Sequence, residues 1–190
     1  MSKSLKDMTL EELWELFPIV LVPHTPHWIE WADEEMAILS AILSGLDIKI
    51  SHIGSTAIPG IMAKPIVDIL VEILAETDWK EVRKRMECAG YICMSASDER
   101  MSFNKGYTPE GYAEQVFHIH FHHIGDNDEI FFRDYLIYNP DVAKEYESLK
   151  LSLLPKFKQN RDAYTEAKTT FVKHICALAR NLSKSDREPL

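Results

Sequence analysis

The segment "EQVFHIHFHHI", residues 114–124, constrains the fold more than any other stretch of the chain. Successive side chains of an extended backbone point to opposite sides. Phe117, Ile119 and Phe121 therefore share one face, and His118, His120 and His122 share the other. The aromatic and aliphatic face must be core, which requires a sheet with helices packed on it.

The remaining pattern supplies both. "IKISHI" and "IVDILVEIL" read as strands, and residues 91–95 and about 100–105 as shorter ones around a turn at Asp98. "IVLV", residues 19–22, is a further short strand candidate. "TLEELWELF" reads as a helix with Thr9 and Glu12 forming a capping box. "TPHWIEWADEEMAILSAILSG" is a longer helix, with Thr25 as its cap, Pro26 in its first turn and Gly45 at its end. "DWKEVRKRMECAG" is a polar-faced helix ending at Gly90. Three helices close the chain: one capped by Asp126, one starting at Asn139-Pro140, and a last one with Tyr164, Phe171, Ile175 and Leu178 on its inner face. Strands in the first two-thirds with helices at both ends predict an α+β domain, a mixed sheet flanked by helices. Residues 1–182 read as one domain and 183–190 as a flexible tail.

The 190 residues carry 21 Lys and Arg against 30 Asp and Glu, a net charge of −9. That balance argues against general nucleic-acid binding, which needs a basic surface, but leaves room for a local basic pocket. Cys88, Cys93 and Cys176 form no CxxC pair and are expected to be buried, reduced thiols. The amino terminus lacks the apolar core of a signal peptide, and no segment has the apolar length of a membrane span. A soluble, cytoplasmic protein without membrane association is the expectation.

One residue is out of place. "HIGSTAIPGIMAKPIVDILVEI", residues 52–73, puts Asp68 inside a strand that otherwise reads as buried. A carboxylate there needs a partner, an exposed strand end, or a role in a site. Just before it, Gly54 allows close backbone approach and Ser55 offers a hydroxyl, as a phosphate-holding turn would. From the residues alone, a phosphate site and an ordinary strand connection both fit. His-x-His on a strand can present His118 and His120 to one metal, or the histidines are simply the polar face of a half-exposed strand.

The same segment resembles the signature of the GrpB family, within the polymerase-β-like nucleotidyltransferase superfamily. The likeness continues through "FHIHF", "FRDYLIYNPDVAKEYESLK" and "YTEAKTTFV", covering roughly residues 19–181. It implies a nucleotidyltransferase-type mixed sheet with the Gly-Ser turn at its active edge, and a thin link to coenzyme A metabolism. It also implies a catalytic, metal-holding role for Asp68, with a divalent cation (Mg²⁺, Mn²⁺ or Zn²⁺) and a nucleotide or other phosphorylated small molecule as partners. The resemblance puts the histidine strand in the place of the strand that supplies a third acid in active enzymes. That implies a mixed site of Asp68 with His118 or His120, favouring Mn²⁺, Zn²⁺ or Fe²⁺ over Mg²⁺, or else a histidinium that simply pairs with Asp68. The departure is at position 70. Active members of the superfamily carry a second acid two residues after the first, and this chain has Leu70. Glu72, about 13 Å from Asp68 along an extended strand, is too far to share an ion with it easily. Either nucleotidyl transfer or a non-catalytic binding or adaptor role is implied.

Three basic residues complete the candidate site. Lys168 falls on the inner stripe of the last helix and is kept in the family motif, so it meets a phosphate or bridges to an acid such as Asp134. Arg133, among aromatics, suits phosphate or carboxylate equally. Lys64 precedes Pro65, which keeps it extended at the head of the Asp68 strand.

Overall fold

The computed structural model describes residues 3–185. The strands are β1 (Ile48–Ile53), β2 (Val67–Ile73), β3 (Ile92–Ala96), β4 (Arg100–Thr108) and β5 (Gly111–His123), in one sheet of order β1-β2-β5-β4-β3. The sheet is mixed: β2 and β5 run parallel, and every other neighbouring pair is antiparallel. The helices are α1 (Leu10–Leu16), α2 (His27–Ile42), α3 (Trp79–Cys88), α4 (Asp128–Tyr138), α5 (Pro140–Phe157), α6 (Arg161–Glu166) and α7 (Thr169–Ser185). The expected α+β class, a mixed sheet flanked by helices with helices at the carboxyl end, is what forms. No described helix is long and apolar enough to cross a membrane.

The period-two patterns decide which face is core. Val67, Ile69, Val71 and Ile73 of β2 join Phe117, Ile119 and Phe121 of β5 and Phe103 of β4 against α2 and α3. In α2, Trp28, Ala32 and Leu39 recur at helical spacing and meet that face. The opposite face carries Asp68 and the histidines and looks toward the carboxyl-terminal helices. Those helices have their own core, in which Phe132, Leu136, Tyr146, Ile175 and Cys176 pack on Ile58 and Ile61.

Several local expectations are corrected. "IVLV" is not a strand: only Val22 bridges, to Ala63, and Ile19 donates instead to the Lys158 carbonyl beyond α5. Thr25 does not cap α2 with its side chain; Pro26 occupies that position, and Thr25 contributes only its carbonyl, to the Trp28 amide. Asp126 does not cap α4, because Arg100 holds its carboxylate at 2.8–3.0 Å and Asn127 takes the cap position. The last predicted helix breaks at Ala167 and Lys168 into α6 and α7, with no Gly or Pro to mark it, and Leu178 is exposed. Of the three free cysteines, only Cys176 is buried. α7 runs to Ser185, into the stretch expected to be a tail, and the rest of that stretch lies outside the described residues.

A bulge between β4 and β5 decides which side chain stands beside His118. The register shifts between Lys105 and Tyr107, at Gly106, whose φ is +88°. Before the bulge Lys105 lies on the α2 side, where its ammonium meets the buried Glu35 at 2.6 Å. Strict alternation would put Tyr107 on that side too. The left-handed turn at Gly106, opposite the additional residues of β5, reverses the alternation and delivers Tyr107 to the opposite face, next to that imidazole. A Cβ at position 106 would lie 2.2 Å from the Gln115 carbonyl oxygen. Gly106→Ala should therefore lower stability by about 2 kcal/mol or more, read from the urea midpoint; an unchanged midpoint would show that the bulge tolerates a side chain.

Candidate metal and phosphate site

Asp68 sits in β2 directly across from His118 in the parallel neighbour β5, with His120 opposite Leu70. Parallel register thus places one carboxylate beside two imidazoles on the same face. Asp68 Oδ1 lies 3.3 Å from His118 Nδ1 and 3.4 Å from His120 Nε2. The two rings stand at 88° to each other, with centroids 6.3 Å apart. The Asp68 side chain keeps 28% of its exposure, so it opens onto space and is not sealed in hydrocarbon. Burial alone would raise its pKa, but the hydrogen bonds and charges of His118 and His120 outweigh it and hold the carboxyl far below the usual carboxylate range. His118 is pulled the other way: burial lowers its pKa against the attraction of Asp68.

Donor chemistry and spacing both fit a cation. One oxygen and two nitrogens can be chosen that all lie within 4.8 Å of one another. Metal bonds of about 2.1 Å at tetrahedral angles put neighbouring ligand atoms about 3.4 Å apart, close to the Asp68–histidine distances. His118 is oriented from behind. Its Nε2 lies 2.7 Å from the Tyr107 hydroxyl, which accepts from Arg161 Nη2 at 3.0 Å. That leaves the phenol proton free to donate to Nε2, the arrangement in which the ring's own proton sits on Nδ1, toward Asp68. Burial pushes the Tyr107 phenol up to about 12, so it stays neutral. A cation bound at Nδ1 must displace that proton.

Gly54 explains the turn. Its φ is +72°, and a Cβ there would lie 2.6 Å from Asp68 Oδ2. Glycine is needed because the carboxylate occupies the place of a side chain, which ties the two residues of "IGST…VD" together. The Ser55 hydroxyl is hydrogen-bonded with Tyr146 of α5, and both line the same cavity.

That cavity measures about 930 Å³ and is lined by Gly54, Ser55, Asp68, His118 and His120 together with Lys64, Lys150, Arg161 and Lys168. Four cationic side chains therefore surround one opening in an acidic protein. Burial, with the charges of Lys168 and Arg161, lowers Lys64 to about 7. Burial, with Lys168 nearby, lowers Lys150 to about 7, and burial lowers Lys168 as well. Lys150 donates to the Met62 carbonyl and lies over the Tyr146 ring at 4.8 Å. Lys168 lies over Tyr164 at 4.6 Å, while Asp134, its suggested partner, is paired with Arg133 at 2.7 Å.

Of the residues singled out from the sequence, Gly54, Ser55, Lys64, Asp68, His118, His120 and Lys168 come together at this cavity. Arg133 does not. Its guanidinium donates to the His52 carbonyl of β1 and to Asp134, a contact that ties α4 to the sheet. Lys150 and Arg161 were missed. Lys150 follows Tyr146 by one helical turn and precedes Leu153 on the same stripe, the signal that pointed to Lys168. Arg161 and Tyr107 carried no such signal, since a helix break and a bulge place them. Leu70 is fully buried, and Glu72 accepts from the Gly125 amide at 2.9 Å and from Asn127 at 3.1 Å. Neither stands in for the absent second acid.

The mixed sheet with an acid strand beside a Gly-Ser turn defines a nucleotidyltransferase-like fold. Structural likeness agrees: the Cid1 poly(U) polymerase superposes with a TM-score of 0.51 at 12% identity, over 79% of this chain and 47% of that one, a likeness of fold alone. The family model described as "GrpB protein" matches residues 18–178. The chain is 38% identical over 163 residues to glutamate-rich protein GrpB of Alkalihalophilus pseudofirmus, covering 83% of this chain and 93% of that one. The crystal structure of the conserved protein GrpB from Enterococcus faecalis matches with a TM-score of 0.70 at 31% identity, over 84% and 96% of the two chains. This protein belongs to the GrpB family.

Two outcomes test the geometry. Gly54→Ala should destabilise by about 1–3 kcal/mol, through its backbone conformation and by pushing the Asp68 carboxylate off the imidazoles. Thermal denaturation reads this, and an unaltered melting curve would mean that Asp68 is not held against the turn. The second outcome concerns pH. A bound anion favours the charged forms of Lys64 and Lys150, whose pKa values near 7 leave them partly neutral in the free protein. Binding of AMP, whose phosphate is fully charged well above its own pKa of about 6, should take up protons and weaken as pH rises past about 7. Without ligand the sign reverses. The unfolded chain keeps these lysines charged up to their ordinary 10.5, so their contribution to stability grows as pH climbs from about 7 toward that value. Calorimetry in buffers of different ionisation enthalpy measures the uptake, and a pH-independent affinity would remove these lysines from the site.

Proposed function

We propose that this protein binds a nucleotide or similarly phosphorylated small molecule through a divalent cation held by Asp68, His118 and His120. In this reading Gly54 and Ser55 approach the phosphate through the turn, and Lys64, Lys150, Arg161 and Lys168 neutralise its oxygens. The observation that carries it is the opening of a three-donor cluster and four cationic side chains onto one cavity. A carboxylate and two imidazoles suit Mn²⁺ or Zn²⁺ better than Mg²⁺. Held by Asp68, His118 and His120, such a cation would supply the charge stabilisation that phosphoryl chemistry requires, while Lys64, Lys150, Arg161 and Lys168 would orient the phosphate.

Nucleotidyl transfer is the second reading, supported by the fold class. Asp68 would then be the catalytic carboxylate. Against a two-metal transfer stand the burial of Leu70 and the hydrogen bonds that occupy Glu72. Metal-dependent binding is accordingly the principal reading, and transfer with a single cation the alternative.

Mn²⁺ or Zn²⁺ titrated calorimetrically should bind with proton release, and nucleotide with metal should raise the melting temperature beyond either alone. Asp68→Asn should reduce metal affinity by about a hundredfold and abolish the metal-dependent part of the shift. If Asp68→Asn leaves both unchanged, the site is refuted. Release of pyrophosphate from a nucleoside triphosphate would establish transfer over binding alone.

A further inference from the structure

The cavity has a second lining that the phosphate reading leaves unused. Leu10, Leu13 and Trp14 of α1 and Ile92 and Met94 of β3 form an apolar wall to the space that the cationic side chains also line. Leu10, Leu13, Trp14 and Phe17 recur at the spacing of one helical face. Yet α1 buries none of its residues. Leu10 remains 51% exposed and Met94 58% exposed. Glu12 of α1 is engaged elsewhere, accepting from the Thr9 amide and from Lys3. Phe17, at the end of this face, is buried against Tyr107 and Tyr112 and anchors the helix, but Leu10, Leu13 and Trp14 turn to the cavity and stay partly wetted until something apolar fills the space.

We propose that the ligand is a phosphate ester with an apolar body, its phosphate on the cationic and metal-binding floor and its body against α1 and the β3 edge. This rests on the phosphate reading above and narrows its substrate class. Two features together require it. A bare phosphate or a sugar phosphate would leave the wall exposed to water, and a purely apolar ligand would leave Lys64, Lys150, Arg161 and Lys168 with only Asp68 and Glu147 to offset four cations. A cavity of about 930 Å³ is at the upper end of the roughly 300–1,000 Å³ of small-molecule sites, ample for both parts.

A series of butyl, hexyl and octyl phosphates, with inorganic phosphate and AMP as references and Mn²⁺ present, tests this by calorimetry below the micellar range. Affinity should rise about threefold to fourfold per methylene until the wall is covered. Octanol, lacking the charge, should bind at least about tenfold more weakly than octyl phosphate, as the loss of a charge-assisted contact requires. Leu10→Ser and Trp14→Ala should together remove most of the chain-length gain while leaving inorganic phosphate within about twofold of the unmodified protein, because neither side chain belongs to the floor. A flat series with phosphate or AMP still bound would overturn the apolar body and leave the phosphate site standing. A gain that survives both substitutions would overturn the assignment to α1. Failure of every phosphate, with and without metal, would instead defeat the reading beneath it.

Discussion

The Asp68 carboxylate, gripped between two imidazoles and covered by a glycine, is the contact on which the rest of the arrangement depends. One oxygen faces His118 and His120, and the other fills the space where residue 54 would carry a side chain. The turn therefore cannot move away without releasing the carboxylate, and the carboxylate cannot rotate without losing the rings. Parallel pairing of β2 with β5 makes this possible, because it sets the acid and the first histidine side by side. Behind them, Arg161 and Tyr107 fix the ring of His118 from a helix and from a bulged strand. Four elements far apart in the chain thus converge on one carboxyl group.

Around that group the charges are unbalanced in a way that calls for a ligand. A chain with net charge −9 gathers Lys64, Lys150, Arg161 and Lys168 around a single cavity. Burial lowers all three lysines, and repulsion from neighbouring cations lowers Lys64 and Lys150 further, so the free site is electrostatically strained; Asp68 opposes Lys64 and Lys168, and Glu147 opposes Lys150. The absence of a second acid at position 70 weighs in the same direction. With Leu70 packed away and Glu72 holding the turn after β5, the site has donors for one cation and counter-charges for a phosphate, but no second carboxylate to divide the work of transfer.

Legibility varied with the kind of signal. The strands of the core and the face of β5 that carries the histidines followed from alternation, the need of Asp68 for a partner from the cost of an unpaired acid, and its nearness to Gly54 and His118 from the resemblance to the GrpB family. Lys168 followed from a charged residue on an apolar stripe, and Lys150 was open to the same reasoning. Arg133 misled because an arginine among aromatics is equally suited to a carbonyl and a carboxylate, and those are what it holds. Caps at Thr25 and Asp126 failed because competing partners won: a proline in the cap position in one case, and the Arg100 guanidinium in the other.

Periodicity is a local property, and so the α+β class, the two-sided strands and the out-of-place aspartate could be read from the order of residues alone. What that order could not disclose is anything set by register or by an interruption. The bulge at Gly106 that brings Tyr107 to His118, the break at Ala167 that sets Lys168 between two helices, and the convergence of four cations from separate elements all depend on distances between segments. Those distances arise from strand pairing and from packing on a shared core, interactions that no single window of the chain contains.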